Sequence, residues 1–458
     1  MAFDTAGAVI QRAFIGGEIA PSMGARADQA KYISGLRQCR NFVIQPRGGA
    51  TKRAGTLFVA EVKFPLKFTR LVPFIFEGAD QTYLMEFGEG YIRFYFHGAP
   101  VVVTGVAAWN SGTAYVIGDL VVDGGINYYA IQAGTNHVPA SSPTFWYPLT
   151  GDIYEIPTPY QETDLRTLQW TQSADIVTIV HPLYAPRELK RFSGTRWTLD
   201  LAVFAPWTTA PTGGSGVAGA AGTRTFRYVV TAVKAETYEE TFASSTITIA
   251  SAAVPTADAP HVVSWTAVTG AVEYNIYADP FNNGISGHIG TSSTNSFRDA
   301  GFVPDFTTTP PTNKVVFNSS GNYPSTVAYY QQRIVYARTA NNPGTTWASQ
   351  VGNTHNFTIS TPIQDDDAIE FTLASNQLQP VAHVVGLKKL MILTDQGEWQ
   401  IKGDDQGGGT LRPNAINPNQ DGGNGATISV RPCIVQNVCV FVQARGTKLR
   451  VSEYSQEG

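Results

Sequence analysis

The sequence consists mainly of short segments in which apolar and polar residues alternate and which end at Gly, Pro, Asn or Asp. Almost no stretch repeats its apolar residues at helical spacing. A period of two is typical of strands with one buried face, and the 44 glycines and 27 prolines supply the turns between them. These patterns predict antiparallel β architecture, and 458 residues are too many for one ordinary domain.

Two hairpin regions show the pattern most clearly. Three consecutive strands, with a turn at Gly88–Gly90, are predicted for Phe68–Phe76, Gln81–Phe87 and Tyr91–Phe96. A similar hairpin is predicted through Val385–Leu393 and Trp399–Lys402, turning at Asp395–Gly397. Repeated hairpins with an aromatic residue and a glycine in each unit indicate propeller blades or a large sandwich.

We predict an all-β, multi-domain chain in which a propeller-like or platform β core carries a small aromatic β module and a β-sandwich as insertions. The predicted parts are an N-terminal platform and propeller start (1–106), the aromatic module (107–150), a continuation of the core (151–206), the sandwich (207–312) and further platform or propeller blades (313–458). The run TGGSGVAGAAGT at 212–223 is predicted as a flexible linker. Gly403–Gly425 has almost no apolar residues and is predicted as a long mobile loop.

Charge is scarce and unevenly distributed. Charged residues make up 15% of the chain, which is common where surface is covered by partner subunits, and the net charge of −4 gives no support to nucleic-acid binding by the whole chain. Residues 1–75 hold eleven Lys/Arg and four Asp/Glu, so their formal net charge is +7 and that of the rest of the chain is −11. A basic face that meets an acidic neighbour is the simpler interpretation, with nucleic-acid contact as the alternative.

The sequence contains only weak candidates for catalytic or metal-binding groups. Asp365–Asp367 with His355 lacks the spacing of a calcium loop, and Glu86 with Glu89 flanks a hairpin as chance pairs often do. Asp404, Asp405 and Asp421 fall in the Gly-rich loop. We therefore expect no enzyme activity, no cofactor and no metal. The three cysteines (Cys39, Cys433 and Cys439) are predicted to be reduced, buried thiols of a soluble protein made in a cytoplasm.

Two ordered stretches resemble the tail nozzle family, also called tail tubular protein B, of short-tailed bacteriophages. The first stretch has a Gly-Gly turn, an Arg and an Asp, an Asn-Phe step and a basic Gly-rich turn: Phe14–Glu18, Pro21, Gly24–Arg26, Asp28, Tyr32, Gly35, Asn41–Phe42, Gly48–Gly49, Arg53 and Gly55–Thr56. The second comprises Thr158–Tyr160, Asp164–Leu165, Leu168, Gln172–Asp175, His181–Pro182, Pro186 and Leu189. Tyr329–Lys402 is similar to the platform of the same family.

The resemblance implies a homohexameric ring in the virion tail, below the portal and adaptor, through which phage DNA passes without sequence specificity. Its partners would be other copies of the chain, the adaptor and tail fibres, and it would assemble in the host bacterial cytoplasm. We expect ring formation and adaptor contact from residues 14–60 and 329–375. Arg26, Asp28, Arg47, Lys52 and Arg53 are the candidate docking residues, because arginine pairs well with acidic surfaces.

The chain departs from the family pattern by its two insertions and by ending at Ser455–Gly458, where further propeller strands are expected. The 207–311 insertion resembles fibronectin type III domains. The 107–150 insertion resembles chitin-binding-type carbohydrate modules through Trp109, Tyr115, Gly118–Asp119, Tyr128–Tyr129 and Trp146. Trp109, Tyr115, Tyr129 and Trp146 could stack on host glycan, which makes a receptor-binding tail protein the alternative function. The same aromatics could instead be the core of a module too small to bury much else.

Overall fold

The computed structural model describes residues 11–76, 82–206, 209–235, 239–312, 315–374, 377–403, 409–436, 438–445 and 448–453. The structure is nearly all β, which confirms the predicted all-β, multi-domain class. It divides into two compact units, Met1–Ala60 and Glu61–Gly458. The division falls inside segment 1–106, which the sequence suggests is a single platform.

The N-terminal unit has little regular structure. Its described elements are β1 (Gly17–Glu18), a 3-10 turn (Pro21–Met23), α1 (Ala30–Ile33), β2 (Gly35–Leu36), β3 (Phe42–Ile44) and β4 (Ala50–Lys52). β1 pairs in parallel with β2, and β3 pairs antiparallel with β4. Among residues 11–60 only Gly48 is buried, so this unit has no apolar core of its own.

The second unit begins with an antiparallel sheet in which β14 (Glu155–Pro157), β7 (Tyr91–Phe96), β6 (Thr82–Gly88) and β5 (Arg70–Ile75) are neighbours and β8 (Ala99–Pro100) pairs with β7. The turn from β6 to β7, at Gly88–Gly90, lies where the sequence predicts it. The aromatic module lies between β8 and β14 and contains β9 (Ala114–Tyr115), β10 (Leu120–Asp123), β11 (Ile126–Ala130), β12 (Gly134–Thr135) and β13 (Trp146–Pro148). Within the module β10, β11 and β13 form one sheet, β9 pairs with β12, and a 3-10 turn spans Pro139–Ser141.

A 3-10 turn at Glu162–Asp164 leads into the second four-stranded sheet. Its antiparallel strands follow chain order: β15 (Gln169–Ser173), β16 (Ile176–His181), β17 (Tyr184–Ser193) and β18 (Arg196–Leu201). One apolar core joins this sheet to the first, and Trp197 lies fully buried in it against the ring of Phe94 at a centroid distance of 4.4 Å. Tyr129 and Leu149 of the aromatic module belong to the same core.

The 207–312 segment forms two facing sheets. One consists of β19 (Ser215–Val217), β22 (His261–Ser264) and β25 (Ser296–Asp299). The other consists, in spatial order, of β21 (Ile247–Ala252), β20 (Ala221–Lys234), β23 (Ala271–Asp279) and β24 (Gly287–Ser292). They enclose a core that includes Trp265 and Tyr228. Two facing antiparallel sheets around a shared core are a β-sandwich.

The Gly-rich run at 212–223 is not a linker, contrary to expectation, because it supplies β19 and the start of β20. A Cβ on Gly214 or Gly216 would lie 2.5 Å from Ile247 or Ile249 of the opposite sheet. Glycine therefore lets the two sheets approach each other closely here. This role is missed when a Gly-rich run is interpreted only as a sign of flexibility.

The C-terminal part contains a short pair, β26 (Thr309–Thr312) with β30 (Ile359–Thr361), and three further sheets. The first consists of β27 (Thr326–Tyr330), β28 (Arg333–Ala337), β29 (Thr345–Ala348) and β31 (Ile369–Thr372). The second consists of β32 (Val381–Gly386), β33 (Leu390–Thr394), β34 (Glu398–Lys402) and β35 (Asn417–Gly422). The third consists of β36 (Cys433–Val435), β37 (Val438–Val442) and β38 (Leu449–Glu453).

Each of these sheets packs on the previous one through an apolar core. The β15–β18 sheet and the sheet of β27, β28, β29 and β31 meet around Phe204 and Tyr336. The latter sheet meets the β32–β35 sheet around Val335 and Leu390, and the β32–β35 sheet meets the β36–β38 sheet around Met391 and Phe441. This part of the chain is therefore a series of antiparallel sheets, each packed on its neighbour, and a propeller-like core stays a prediction.

Three local predictions are wrong or incomplete. Val385–Leu393 is not one strand, because β32 ends at Gly386 and β33 begins at Leu390. Gly403–Gly425 is not wholly a loop, because β35 pairs with β34 through backbone hydrogen bonds that need no apolar side chains. Cys433 is exposed on β36, Cys39 is half-buried, and only Cys439 is buried, although all three are free thiols. Asp404, Asp405 and Ser455–Gly458 lie outside the described residues.

Candidate functional site: an exposed basic and apolar N-terminal unit

The candidate docking residues all lie on the surface of the N-terminal unit. Arg26 donates from Nε and Nη2 to the two carboxylate oxygens of Asp28, at 2.8 and 2.7 Å. This bidentate contact lowers the pKa of Asp28 and raises that of Arg26. The Arg26–Asp28 pair is therefore already satisfied within the chain, and its role is to fix the loop before α1.

The basic turn around Gly48 is held by backbone contacts. Gln45 N donates to Gly49 O at 2.7 Å, and Gly48 has a φ of +98°, which favours glycine. Arg53 donates from Nε to Asn41 Oδ1 at 2.9 Å and from its backbone N to Asn41 O, which joins β4 to the start of β3. Arg47 is exposed and forms no ion pair with a described residue.

Cations far outnumber anions in this unit. Residues 11–60 hold eight Lys/Arg against two Asp/Glu, and both acids are engaged. Asp28 binds Arg26, and Glu18 Oε2 accepts a hydrogen bond from Cys39 N at 2.8 Å. Lys52 is exposed at the end of β4. The unit therefore offers positive charge that its own acids do not neutralise.

The same unit also exposes large apolar side chains. The exposed fractions are 61% for Ile15, 85% for Leu57 and 77% for Phe58. Ile19, Pro21, Tyr32 and Ile33 line a concave surface of about 830 Å³. Exposed apolar area rimmed by charge is typical of protein interaction sites. Sequence reasoning found the basic residues but missed Ile15, Leu57 and Phe58, because no periodicity marks a strand or helix there.

The aromatic module does not present its four candidate rings as one exposed platform. Trp109 and Tyr115 are half-buried and pack with Trp146, whose ring centroid lies 5.1 Å from that of Tyr115. Trp146 is 3% exposed, and Tyr129 is 2% exposed and donates its hydroxyl to Trp197 O at 2.7 Å. The burial of Tyr129 and Trp146 fits the alternative interpretation, that a module this small needs its aromatic side chains as a core. Glycan contact by the module stays a prediction, and Trp109 and Tyr115 are the candidate rings that remain partly exposed.

The weak catalytic candidates have structural roles. Glu86 is 1% exposed and accepts hydrogen bonds from the hydroxyls of Tyr91 and Tyr95, and Glu89 pairs with Lys67 on the surface. A carboxylate covered in this way cannot reach a substrate.

The acidic triplet Asp365–Asp367 and His355 also have separate structural roles. Asp367 is buried and accepts from Ser360 and Gln364, which shapes the loop before β31. His355 Nε2 lies 2.6 Å from Glu188 Oε1, on another sheet. In the described ranges no three His, Cys, Asp or Glu side chains are grouped as a metal site would require.

Comparisons with known proteins give no identity. No family model matches the sequence, and no curated protein matches it. Among the solved structures, one similar chain is the computationally designed Ika8 protein, with 10% sequence identity, 84% of this chain and 96% of that chain covered, and a TM-score of 0.17. Likeness at that TM-score carries no argument about fold or function. The described part of the chain contains no helix that is long and apolar enough to cross a membrane.

Proposed function

We propose that this chain is a structural subunit of a short bacteriophage tail, forming a nozzle ring of six copies around the DNA-ejection channel. The observation that carries the proposal is the N-terminal unit, which exposes large apolar side chains and unneutralised cations while burying only Gly48 among residues 11–60. The ordered N-terminal motifs that resemble the tail nozzle family lie in the same unit.

The magnitude of the exposed surface favours an obligate assembly. Burying one large apolar side chain contributes roughly 1.5–3 kcal/mol. Ile15, Leu57 and Phe58 together could therefore contribute several kcal/mol to each interface, by the same estimate. A repeated interface between different surfaces of identical subunits closes into a ring when its rotation closes.

The charge distribution favours another copy of the chain, or an acidic adaptor, as the partner. Residues 1–75 carry +7 and the rest of the chain carries −11. Complementary charge of this kind accelerates encounter and selects the partner, while the apolar contacts supply most of the affinity.

The test is electron microscopy and mass measurement of the purified protein, alone and bound to the tail adaptor. Six-fold rings would support the proposal. A chain that stays monomeric both alone and with the adaptor would overturn it.

A matched pair of variants locates the interface. Phe58→Asp replaces a 77% exposed ring in the N-terminal unit, and Phe281→Asp replaces a 71% exposed ring in the sandwich. Because both rings are exposed, neither change should alter the unfolding temperature of the monomer by more than about 2 °C. Phe58→Asp should greatly reduce the fraction of rings, and Phe281→Asp should not. Equal loss in both variants, or in neither, would contradict the assignment of the interface to residues 11–60.

A further inference from the structure

A cavity of about 310 Å³ opens beside the sheet of β27, β28, β29 and β31 in the second unit. Phe317 and Trp347 line it, are 5% and 7% exposed, and have their ring centroids 5.5 Å apart in an edge-to-face arrangement. Trp347 on β29 lies directly opposite Glu370 on β31, so these two side chains share one face of the sheet. Ligand cavities measure roughly 300–1,000 Å³, so this one has room for a single small molecule.

Two loops supply the polar part of the cavity and are fixed by their own hydrogen bonds. The loop before β27 and the loop between β28 and β29 are joined by Asn341, whose Nδ2 donates to Asn322 Oδ1 at 2.8 Å. Asn322 Nδ2 donates in turn to Ser319 Oγ at 2.9 Å. In the second loop, Asn342 N donates to Thr339 Oγ1, also at 2.9 Å. The positions of the lining residues are therefore set by the fold.

Three polar groups that line the cavity have no partner within the described part of the chain. The side-chain amides of Asn318 and Asn342 form no hydrogen bond with a described residue, and neither does Nε1 of Trp347. The indole nitrogens of Trp197 and Trp265 also lack partners, but protein atoms enclose them. Nε1 of Trp347 is not enclosed in this way, so its N–H is open to the cavity. Because donors inside a fold are nearly always satisfied, this N–H points to an acceptor that binds there.

The chemistry of the lining favours a neutral ligand rich in hydroxyl groups. The described lining residues include one carboxylate, at Glu370, and no Lys, Arg or His, so an anion such as phosphate would meet no cation among them. A side-chain amide offers two donor hydrogens and an acceptor oxygen, which matches neighbouring hydroxyl groups that both donate and accept. The indole N–H donates only, and a hydroxyl or ring oxygen satisfies it.

We propose that this cavity binds one pyranose ring of a neutral sugar, with Trp347 Nε1 and the amides of Asn318 and Asn342 as its hydrogen-bonding groups. The apolar side chains of Val316 and Phe317, which also line the cavity, can pack against the C–H groups of the ring. The site is separate from the aromatic module at 107–150. The inference does not depend on the tail assignment.

The experiment is an NMR titration of the full chain, labelled with ¹⁵N at tryptophan, with the methyl glycosides of glucose, galactose, mannose and N-acetylglucosamine. The chain has eight tryptophans, so eight indole signals are expected, and Trp347→Phe identifies one of them by its loss. Trp109→Phe identifies the signal of Trp109 in the aromatic module in the same way. At least one glycoside, at millimolar concentration, should shift the Trp347 signal and leave the Trp109 signal unchanged.

A matched pair of variants tests the amide contact. Asn342→Ala removes an exposed amide of the cavity and should weaken binding at least about threefold, because a neutral hydrogen bond is lost. Asn417→Ala removes an exposed amide on β35 that does not line the cavity, and it should bind like the wild type. Both variants should unfold at the wild-type temperature. If Trp347→Phe does not fold, Asn342→Ala still tests the site, since its side chain lies at the surface.

A competition experiment identifies the source of the sugar. Displacement of the glycoside by a polysaccharide that ends in the same sugar assigns the cavity to the end of a glycan, and binding without displacement restricts it to the free sugar. The proposal would be overturned if no glycoside shifted the Trp347 signal, if the shift were confined to Trp109, or if Asn342→Ala bound as tightly as the wild type.

Discussion

Replacing Glu155 by Gln should destabilise the second unit by about 3–5 kcal/mol, the usual loss when one partner of a buried ion pair is removed. The Glu155 side chain is fully buried, with Lys63 Nζ 2.5 Å from Oε1 and Arg93 Nε 2.8 Å from Oε2. Arg93 has only 4% of its side chain exposed, so without Glu155 its charge would remain in the interior uncompensated. Burial alone would lower the pKa of Lys63, but its contacts with Glu155 and Tyr147 raise it.

The assay is urea unfolding followed by circular dichroism, with Glu89→Gln as the matched control. Glu89 pairs with Lys67 on the surface, with side chains 27% and 42% exposed, and such pairs contribute at most about 1 kcal/mol. Adding Arg93→Met to Glu155→Gln removes the unpaired cation and should restore part of the loss. If Glu155→Gln costs no more than Glu89→Gln, the argument that this buried carboxylate compensates Arg93 is refuted.

Three further changes test the core. The pKa of His383 is about 4 in the folded state, because burial disfavours the charged imidazole, and about 6.5 in the unfolded state. The free energy of unfolding should therefore be highest above pH about 6.5 and fall by about 1.4 kcal/mol per pH unit towards pH 4. His383→Gln should flatten this pH profile in denaturation curves, and an unchanged slope would contradict the prediction. Trp197→Ala should cost about 3–5 kcal/mol, because the ring is fully buried against Phe94; a loss below about 1 kcal/mol by the same assay would refute that role. Gly88→Ala should cost about 1–3 kcal/mol, because its Cβ would lie 2.2 Å from the Tyr91 ring; an unchanged unfolding temperature would show that the ring moves freely.

The sequence predicts strands well where one strand has a buried and an exposed face. Tyr91–Phe96 is predicted to the residue, and the predicted Trp399–Lys402 lies within β34. In both cases the alternation of apolar and polar residues and the flanking turn residues are local features, and they are sufficient to predict the strand. β35 carries no such signal, because its pairing with β34 depends on backbone groups that every residue has.

Contacts between distant segments cannot be predicted in this way. The need for Gly216 is set by Ile249 across the sandwich, and the burial of Tyr129 is set by Trp197 on another sheet. Arg70 and Arg431 both contact the ring of Trp170, and no spacing in the sequence predicts that they meet there, because the contact forms only when the sheets pack.

The two units use their few charges in different ways, and this difference bears on assembly. In the second unit, carboxylates such as Glu155 and Glu188 are paired with cations of the same unit, at Arg93 and Lys190 for example. In residues 11–60 the cations outnumber the acids by eight to two and remain at the surface beside exposed apolar side chains. Charges that are paired internally hold a fold together, whereas charges left at the surface are available to a partner. Selection of the partner should therefore reside in the N-terminal unit, and rigidity in the second unit.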